Sequence, residues 1–276
     1  TATPPEKYAW LVAGRNEPLP RVRQAMGEPR EREYVVAARS ALHRPLVRIL
    51  SRAQRGATLC EADIALLFVA DGPDFTAVVR AADELRADVA GDDVTYVVNR
   101  NINYTNICRY ACSFCAFAKG RSSRSLRGPG YDLGWEEIAN RALEAWQRGA
   151  TEVCLQGGIH PHYTGRRYLE VVTAVKQAVP QMHVHAFSPL EIMHGAGTLR
   201  VSVEQFLWQL KDAGLATLPG TAAEILDREV REQICPDKLT AEQWLDVMRT
   251  AHRIGLKSTA TIMFGHVDAP IHWARH

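Results

Sequence analysis

The sequence predicts an α/β protein: residues 94–276 as a partial (β/α) barrel of parallel strands, behind a mostly helical segment at 1–93. Two observations carry this reading. The pattern changes after the turn Gly91-Asp92-Asp93, from helix-like periodicity to β-branched and aromatic runs. Beyond that turn, helical stretches that stop at Gly or Pro alternate with short apolar runs, the pattern of right-handed βαβ units.

The elements follow in order. Leu46, Ile49 and Leu50 share an apolar face that excludes Arg48 and Arg52, as in an amphipathic helix. Thr58 and Glu61 have capping-box spacing before Ala62–Leu67. A further helix is expected over Phe75–Leu85. Val94–Val98 predicts the first strand. Helix Trp135–Gln147, stopped by Gly149, leads to strand Glu152–Gln156. Helix Arg167–Ala178, stopped by Pro180, leads to His183–Phe187. Ser202 with Gln205 opens a helix ending at Gly214, before the run Ala216–Leu218. Thr240 with Gln243 opens one ending at Gly255, before Ser258–Phe264. Five strands fall short of a closed barrel, and Ala269–His276 reads as the start of another helix. The chain is therefore expected to be truncated at its C-terminus.

Composition excludes several classes. Lys+Arg 33 against Asp+Glu 31 gives a formal charge of +2, so nothing calls for nucleic acid or an anionic membrane. No stretch has the length and apolarity of a membrane span. No apolar core follows a basic start, so the cytoplasm is the expected location. Six cysteines in a chain without a secretory signal argue for metal chemistry over disulfides.

Three of them cluster: Cys108, Cys112 and Cys115, spaced C-x3-C-x2-C, with Phe114 before the last. Three thiolates on one short loop can ligate three irons of a 4Fe-4S cubane. The fourth iron is then open to the amino and carboxylate groups of S-adenosylmethionine, whose reductive cleavage yields a 5′-deoxyadenosyl radical. The alternative is a structural zinc, with a fourth ligand drawn from Cys154, Cys235 or one of ten histidines.

At these residues the sequence resembles the radical S-adenosylmethionine superfamily, whose barrels have six strands; about five are legible here. The run Asn99–Cys108 resembles the cluster loop of the enzymes that make deazaflavins and futalosine-derived menaquinone precursors. Gln156-Gly157-Gly158-Ile159, Ala186-Phe187-Ser188-Pro189, Pro219-Gly220-Thr221-Ala222-Ala223-Glu224 and Gly265-His266-Val267-Asp268 narrow it. The Pro-Gly-Thr-Ala-Ala-Glu form, with Ile234-Cys235-Pro236 and Lys238-Leu239, is similar to the second-subunit family of FO synthase.

That resemblance implies a transferase moving an aryl-alkyl group. L-tyrosine is cleaved and its 4-hydroxybenzyl portion joined to 5-amino-6-(D-ribitylamino)uracil, on the way to coenzyme FO. It implies an electron donor, and FO synthase subunit 1 as a separate or fused partner. It assigns S-adenosylmethionine contacts to Gln156, Gly157, Gly158, Ser188 and Glu224. A menaquinone-pathway enzyme on the same scaffold is the nearest rival. Ile159 stands where the superfamily often has Glu after two glycines.

Other residues admit two readings. Gly157 and Gly158 serve a tight turn or a close approach of the backbone to S-adenosylmethionine. His183 and His185 share a strand face, as substrate contacts or as hydrogen-bonded core histidines. Glu224 fits a helix start or the site, and His266 is a further substrate-contact candidate. The basic run Lys119–Gly130 reads as a solvated loop. Cys60, Cys154 and Cys235 read as ordinary buried or half-buried thiols.

Overall fold

The computed structural model describes residues 44–110, 112–115 and 129–276. In chain order the elements are α1 (Arg44–Gln54), α2 (Glu61–Phe68), α3 (Gly72–Ala90), β1 (Asn99–Asn103), α4 (Trp135–Gln147), β2 (Glu152–Gln156), α5 (Gly165–Ala178) and β3 (His183–Ala186). They continue with α6 (Pro189–Leu199), α7 (Val203–Ala213), β4 (Thr217–Leu218), α8 (Arg228–Ile234), α9 (Ala241–Arg253), β5 (Lys257–Ser258) and α10 (Pro270–Arg275). The described chain divides into two compact units, 96–264 and 44–95 together with 265–276.

The larger unit holds a five-stranded parallel sheet in the order β1-β2-β3-β4-β5. Its register aligns Asn101, Cys154, His185 and Thr217 across four strands. Side chains alternate between faces. Ile102, Val153, Leu155, Val184 and Ala186, one residue out of step, are fully buried in one cluster with Ile138 of α4 and Val171 and Val175 of α5. The other face is polar and only partly buried, the arrangement that leaves a lumen side for chemistry.

The first strand lies at Asn99–Asn103, not at Val94–Val98. In the β-branched run Val98 O accepts from Thr151 N at 2.9 Å, but no strand forms there, and Val94, Tyr96 and Val97 are exposed. The Asn-rich segment pairs with β2 in full register and buries Ile102; pairing and burial override propensity. The fifth strand is similarly shorter than Ser258–Phe264. Beyond it, Thr259 N donates to Leu218 O at 3.0 Å and Thr261 Oγ1 to Gly220 O at 2.6 Å.

Capping boxes form at Ser202/Gln205 and Thr240/Gln243 as expected. A third, Ser188/Glu191, opens α6, which the sequence reading passed over along with α8. Helix α2 starts behind Cys60, with no side-chain cap, rather than at Thr58.

In the smaller unit, α1 buries Leu46 and Ile49. Trp273 of α10 meets Phe68 of α2 edge-on, centroids 5.1 Å apart, and Arg275 reaches Glu61 at 3.3 Å. Residues 265–276 thus pack with helical elements from the first part of the chain. Among the described residues, no helix is long and apolar enough to cross a membrane. Residues 1–43 and most of the basic run, 119–128, lie outside the described residues.

Candidate active site

A cavity of about 400 Å³ opens at the C-terminal ends of the strands in the larger unit. Cys108, Cys112 and Cys115 line it, on the loop that follows β1. So do Gln156, Gly157 and Gly158 at the end of β2, Ser188 after β3, and Glu224 after β4. All eight residues that the sequence singled out as ligands or cofactor contacts therefore face one space.

The end of β2 grips the cysteine loop through backbone contacts. Tyr104 N donates to Gln156 O at 3.1 Å, Gly158 N to Thr105 O at 3.0 Å, and Arg109 N to Ile159 O at 2.9 Å. Ile159 N donates to Cys108 Sγ at 3.3 Å. Ile159 is buried, so the residue in place of the superfamily's Glu anchors the loop with its backbone.

The two glycines are explained by this approach. A Cβ on Gly158 would collide with the Ile107 carbonyl oxygen and sit 2.9 Å from Cys108 Cβ; one on Gly157 would collide with the Tyr104 ring. The close backbone approach is to the cysteine loop itself.

A buried carboxylate ties three strand ends together. Glu191 is 2% exposed and lines the cavity. Its Oε1 accepts from the Tyr104 hydroxyl and, at 3.1 Å, from Gly157 N. Its Oε2 accepts from Ser188 N and Ser188 Oγ, each at 2.6 Å. Burial pushes the Glu191 carboxyl up, and the Ser188, Tyr104 and Gly157 donors hold it back. Burial and the neighbouring carboxylate push the Tyr104 phenol well up.

The fourth wall is the segment after β4. Ala222 and Glu224 take left-handed backbone conformations, φ 63° and 48°, uncommon for non-glycine residues. Arg231, also buried, donates to Ala223 O at 2.5 Å and Leu239 O at 2.6 Å, and so folds the segment back on itself. Lys238 Nζ lies 2.5 Å from Glu224 Oε1, with both side chains nearly covered. Burial opposes the charge on Lys238, yet Glu224 and Cys112 hold its ammonium above the usual lysine value. Burial pushes the Cys112 thiol up to about 11, with Lys238 opposing.

The histidine candidates are not part of the cavity lining. His183 Nε2 and His185 Nδ1 both meet Thr217 Oγ1, at 2.8 and 2.7 Å, and burial pushes the His185 imidazole down. They form a hydrogen-bonded cluster on the polar sheet face. His266 belongs to the smaller unit, beside Asp268 at 3.1 Å. Cys235 is buried and Cys154 half-buried, whereas Cys60 is exposed.

The sequence reading missed Tyr104 and Glu191, and it noted Lys238 only within a resembling segment. The Ser188-x-x-Glu191 spacing was a usable signal for Glu191. Lys238 carried no local signal.

The radical SAM superfamily model matches residues 102–273, more than half of the sequence. The chain belongs to the radical SAM superfamily. It is 50% identical over 246 residues to the FO synthase of Nocardia farcinica, covering 89% of this chain and 28% of that protein. It is 51% identical over 228 residues to the FO synthase of Mycobacterium leprae, covering 82% and 26%. It is 47% identical over 199 residues to the 5-amino-6-(D-ribitylamino)uracil–L-tyrosine 4-hydroxyphenyl transferase of Methanopyrus kandleri, covering 72% and 53%. The radical SAM chain thus spans about a quarter of the FO synthases and half of the transferase.

Among solved structures it is similar to the FeFe-hydrogenase maturase HydG from Carboxydothermus hydrogenoformans, at TM-score 0.62 and 17% identity over 88% of this chain and 54% of that one. It is also similar to methylornithine synthase, PylB, at TM-score 0.55 and 20% identity over 76% and 57%. These likenesses establish the shared fold.

The superfamily implies a 4Fe-4S cluster and S-adenosylmethionine, and the donor set fits them. Three thiols face one cavity. Among the described residues, no group that could hold a single ion, with ligand atoms all within 4.8 Å, includes these thiols. A tetrahedral zinc needs its sulfurs closer than that, whereas a cubane holds each thiolate on a separate iron. Thr221, on the same wall, has a buried Oγ1 with no hydrogen-bond partner.

Proposed function

We propose that this chain carries the radical site of an enzyme that cleaves L-tyrosine and transfers its 4-hydroxybenzyl group to 5-amino-6-(D-ribitylamino)uracil, toward coenzyme FO. The observation that carries the reading is the convergence of Cys108, Cys112 and Cys115 on one cavity with the ends of β2, β3 and β4. The activity for which the Methanopyrus kandleri relative is named, at 47% identity, supports the substrate pair.

Cys108, Cys112 and Cys115 are the ligands for the cluster. A cluster held there would supply the one-electron reduction of S-adenosylmethionine from which radical chemistry starts. Gln156, Gly157, Gly158, Ser188 and Glu224 are placed to hold the S-adenosylmethionine. Glu191 does so indirectly, by fixing Gly157 and Ser188. Asn101 and Asn103, on the lumen face of β1 and in the cavity wall, offer amides that can both donate and accept. Such groups suit a pyrimidine or a polyol. An electron donor and a partner completing the deazaflavin belong to the same reading.

Anaerobic reconstitution with iron and sulfide, followed by S-adenosylmethionine, L-tyrosine and the ribitylaminouracil, tests it. The expected result is 5′-deoxyadenosine with a coupled tyrosine–uracil product, abolished by Ala at any of the three cysteines. Turnover only with a futalosine-type substrate would move the chain to the menaquinone pathway. Colourless protein with one zinc and no iron would end the radical reading.

A further inference from the structure

Lys238 and Glu224 lie 14 residues apart in sequence and touch at 2.5 Å on the wall of the cysteine cavity. Their side chains are 11% and 13% exposed, so solvent and salt screen them poorly. Lys238 Nζ also stands 5.5 Å from the centroid of the Phe114 ring, the residue before Cys115. One residue earlier, Ser113 N and Oγ contact Ile234 O at 3.1 and 3.3 Å. The segment carrying the ion pair is thus fastened directly to the loop carrying the thiols. The charge has a fixed position relative to the thiolates.

We propose that Lys238 and Glu224 are positioning residues that poise the reduction potential of the cluster held by Cys108, Cys112 and Cys115. This rests on the cluster reading above. Reduction adds one negative charge to the cluster. A fixed ammonium on the wall of the thiolates' cavity favours that charge, and a fixed carboxylate disfavours it. The two residues act in opposite directions, and their close pairing keeps the net effect small. Each becomes visible when the other is left alone.

The test is an anaerobic redox titration of the reconstituted protein, followed by electron paramagnetic resonance, without S-adenosylmethionine so that its charges do not contribute. Iron per chain is counted for every variant. Lys238→Met is expected to lower the potential and Glu224→Gln to raise it. Each shift should reach about tenfold in the reduced-to-oxidised ratio, or about 59 mV for one electron. Lys238→Arg, which keeps the charge, should stay near the parent value.

A purely structural pair would lower iron content in both variants, or move both potentials in the same direction; either overturns the proposal. Potentials unchanged in both variants also overturn it. If Lys238→Met fails to hold iron, the sign of the Glu224→Gln shift decides alone. If the parent protein assembles no cluster, the cluster reading itself falls, and this inference with it.

Discussion

The Tyr104 hydroxyl donates to Glu191 Oε1 inside the protein, joining the chain just past β1 to the first turn of α6 across 87 residues of sequence. Both residues are essentially without solvent contact. Tyr104→Phe keeps the ring that packs over Gly157 and removes one donor from a buried carboxylate. A bond of this kind contributes about 1.5–3 kcal/mol, and urea unfolding should show that loss. Glu191→Gln should cost more, because the amide nitrogen would face donors where an oxygen now accepts. Equal losses in the two variants would refute the four-donor arrangement.

Gly158→Ala should separate folding from site assembly. The added Cβ meets the Ile107 carbonyl and Cys108 Cβ, so the cysteine loop must shift. The expected variant keeps its far-UV circular dichroism and loses most of its iron on reconstitution. Gly197→Ala is the control. That glycine is exposed within α6, with nothing within 4 Å of the added Cβ. It should stabilise by up to about 1 kcal/mol and leave iron content unchanged.

What the sequence made legible follows the range of the interactions. Helix α4 and strand β2 were read to the residue, because their apolar periodicity and the stop at Gly149 are local. The boxes at Ser202/Gln205 and Thr240/Gln243 join partners three residues apart. The three cysteines sit on one loop. By contrast, β1 is specified by its pairing with β2, and its Asn-Arg-Asn-Ile-Asn composition hides it. Glu191 has a local box partner in Ser188, but its contacts to Tyr104 and Gly157, like the Lys238–Glu224 pair, join residues distant in sequence, brought together by strand ends and by the left-handed turns at Ala222 and Glu224. No local pattern encodes such contacts.

Arg231→Lys should loosen the wall that carries Glu224 and Lys238. The guanidinium spans Ala223 O and Leu239 O with two separate nitrogens, and a lysine cannot reproduce that fork. Losing one buried charged hydrogen bond implies about 1.5–3 kcal/mol. Hydrogen exchange should quicken over residues 222–240 while β1–β3 stay protected. Uniform acceleration across the sheet would argue against a local role.

In the smaller unit, Asp268 provides a test by pH. Burial pushes its carboxyl up, but the N–H groups of Gly265 and His266, at 3.0 and 2.8 Å, and the Trp273 indole hold it well below the ordinary 3.8. A carboxyl with a lowered folded-state pKa contributes stability that is fully present above its unfolded value and lost as pH falls toward the folded one. Asp268→Asn removes that titration. The stability difference between parent and variant should shrink steadily as pH falls below 3.8. Urea unfolding of both proteins across this range measures it. A difference that stays flat down to about pH 3 would mean that Asp268 is not held as a carboxylate by these donors.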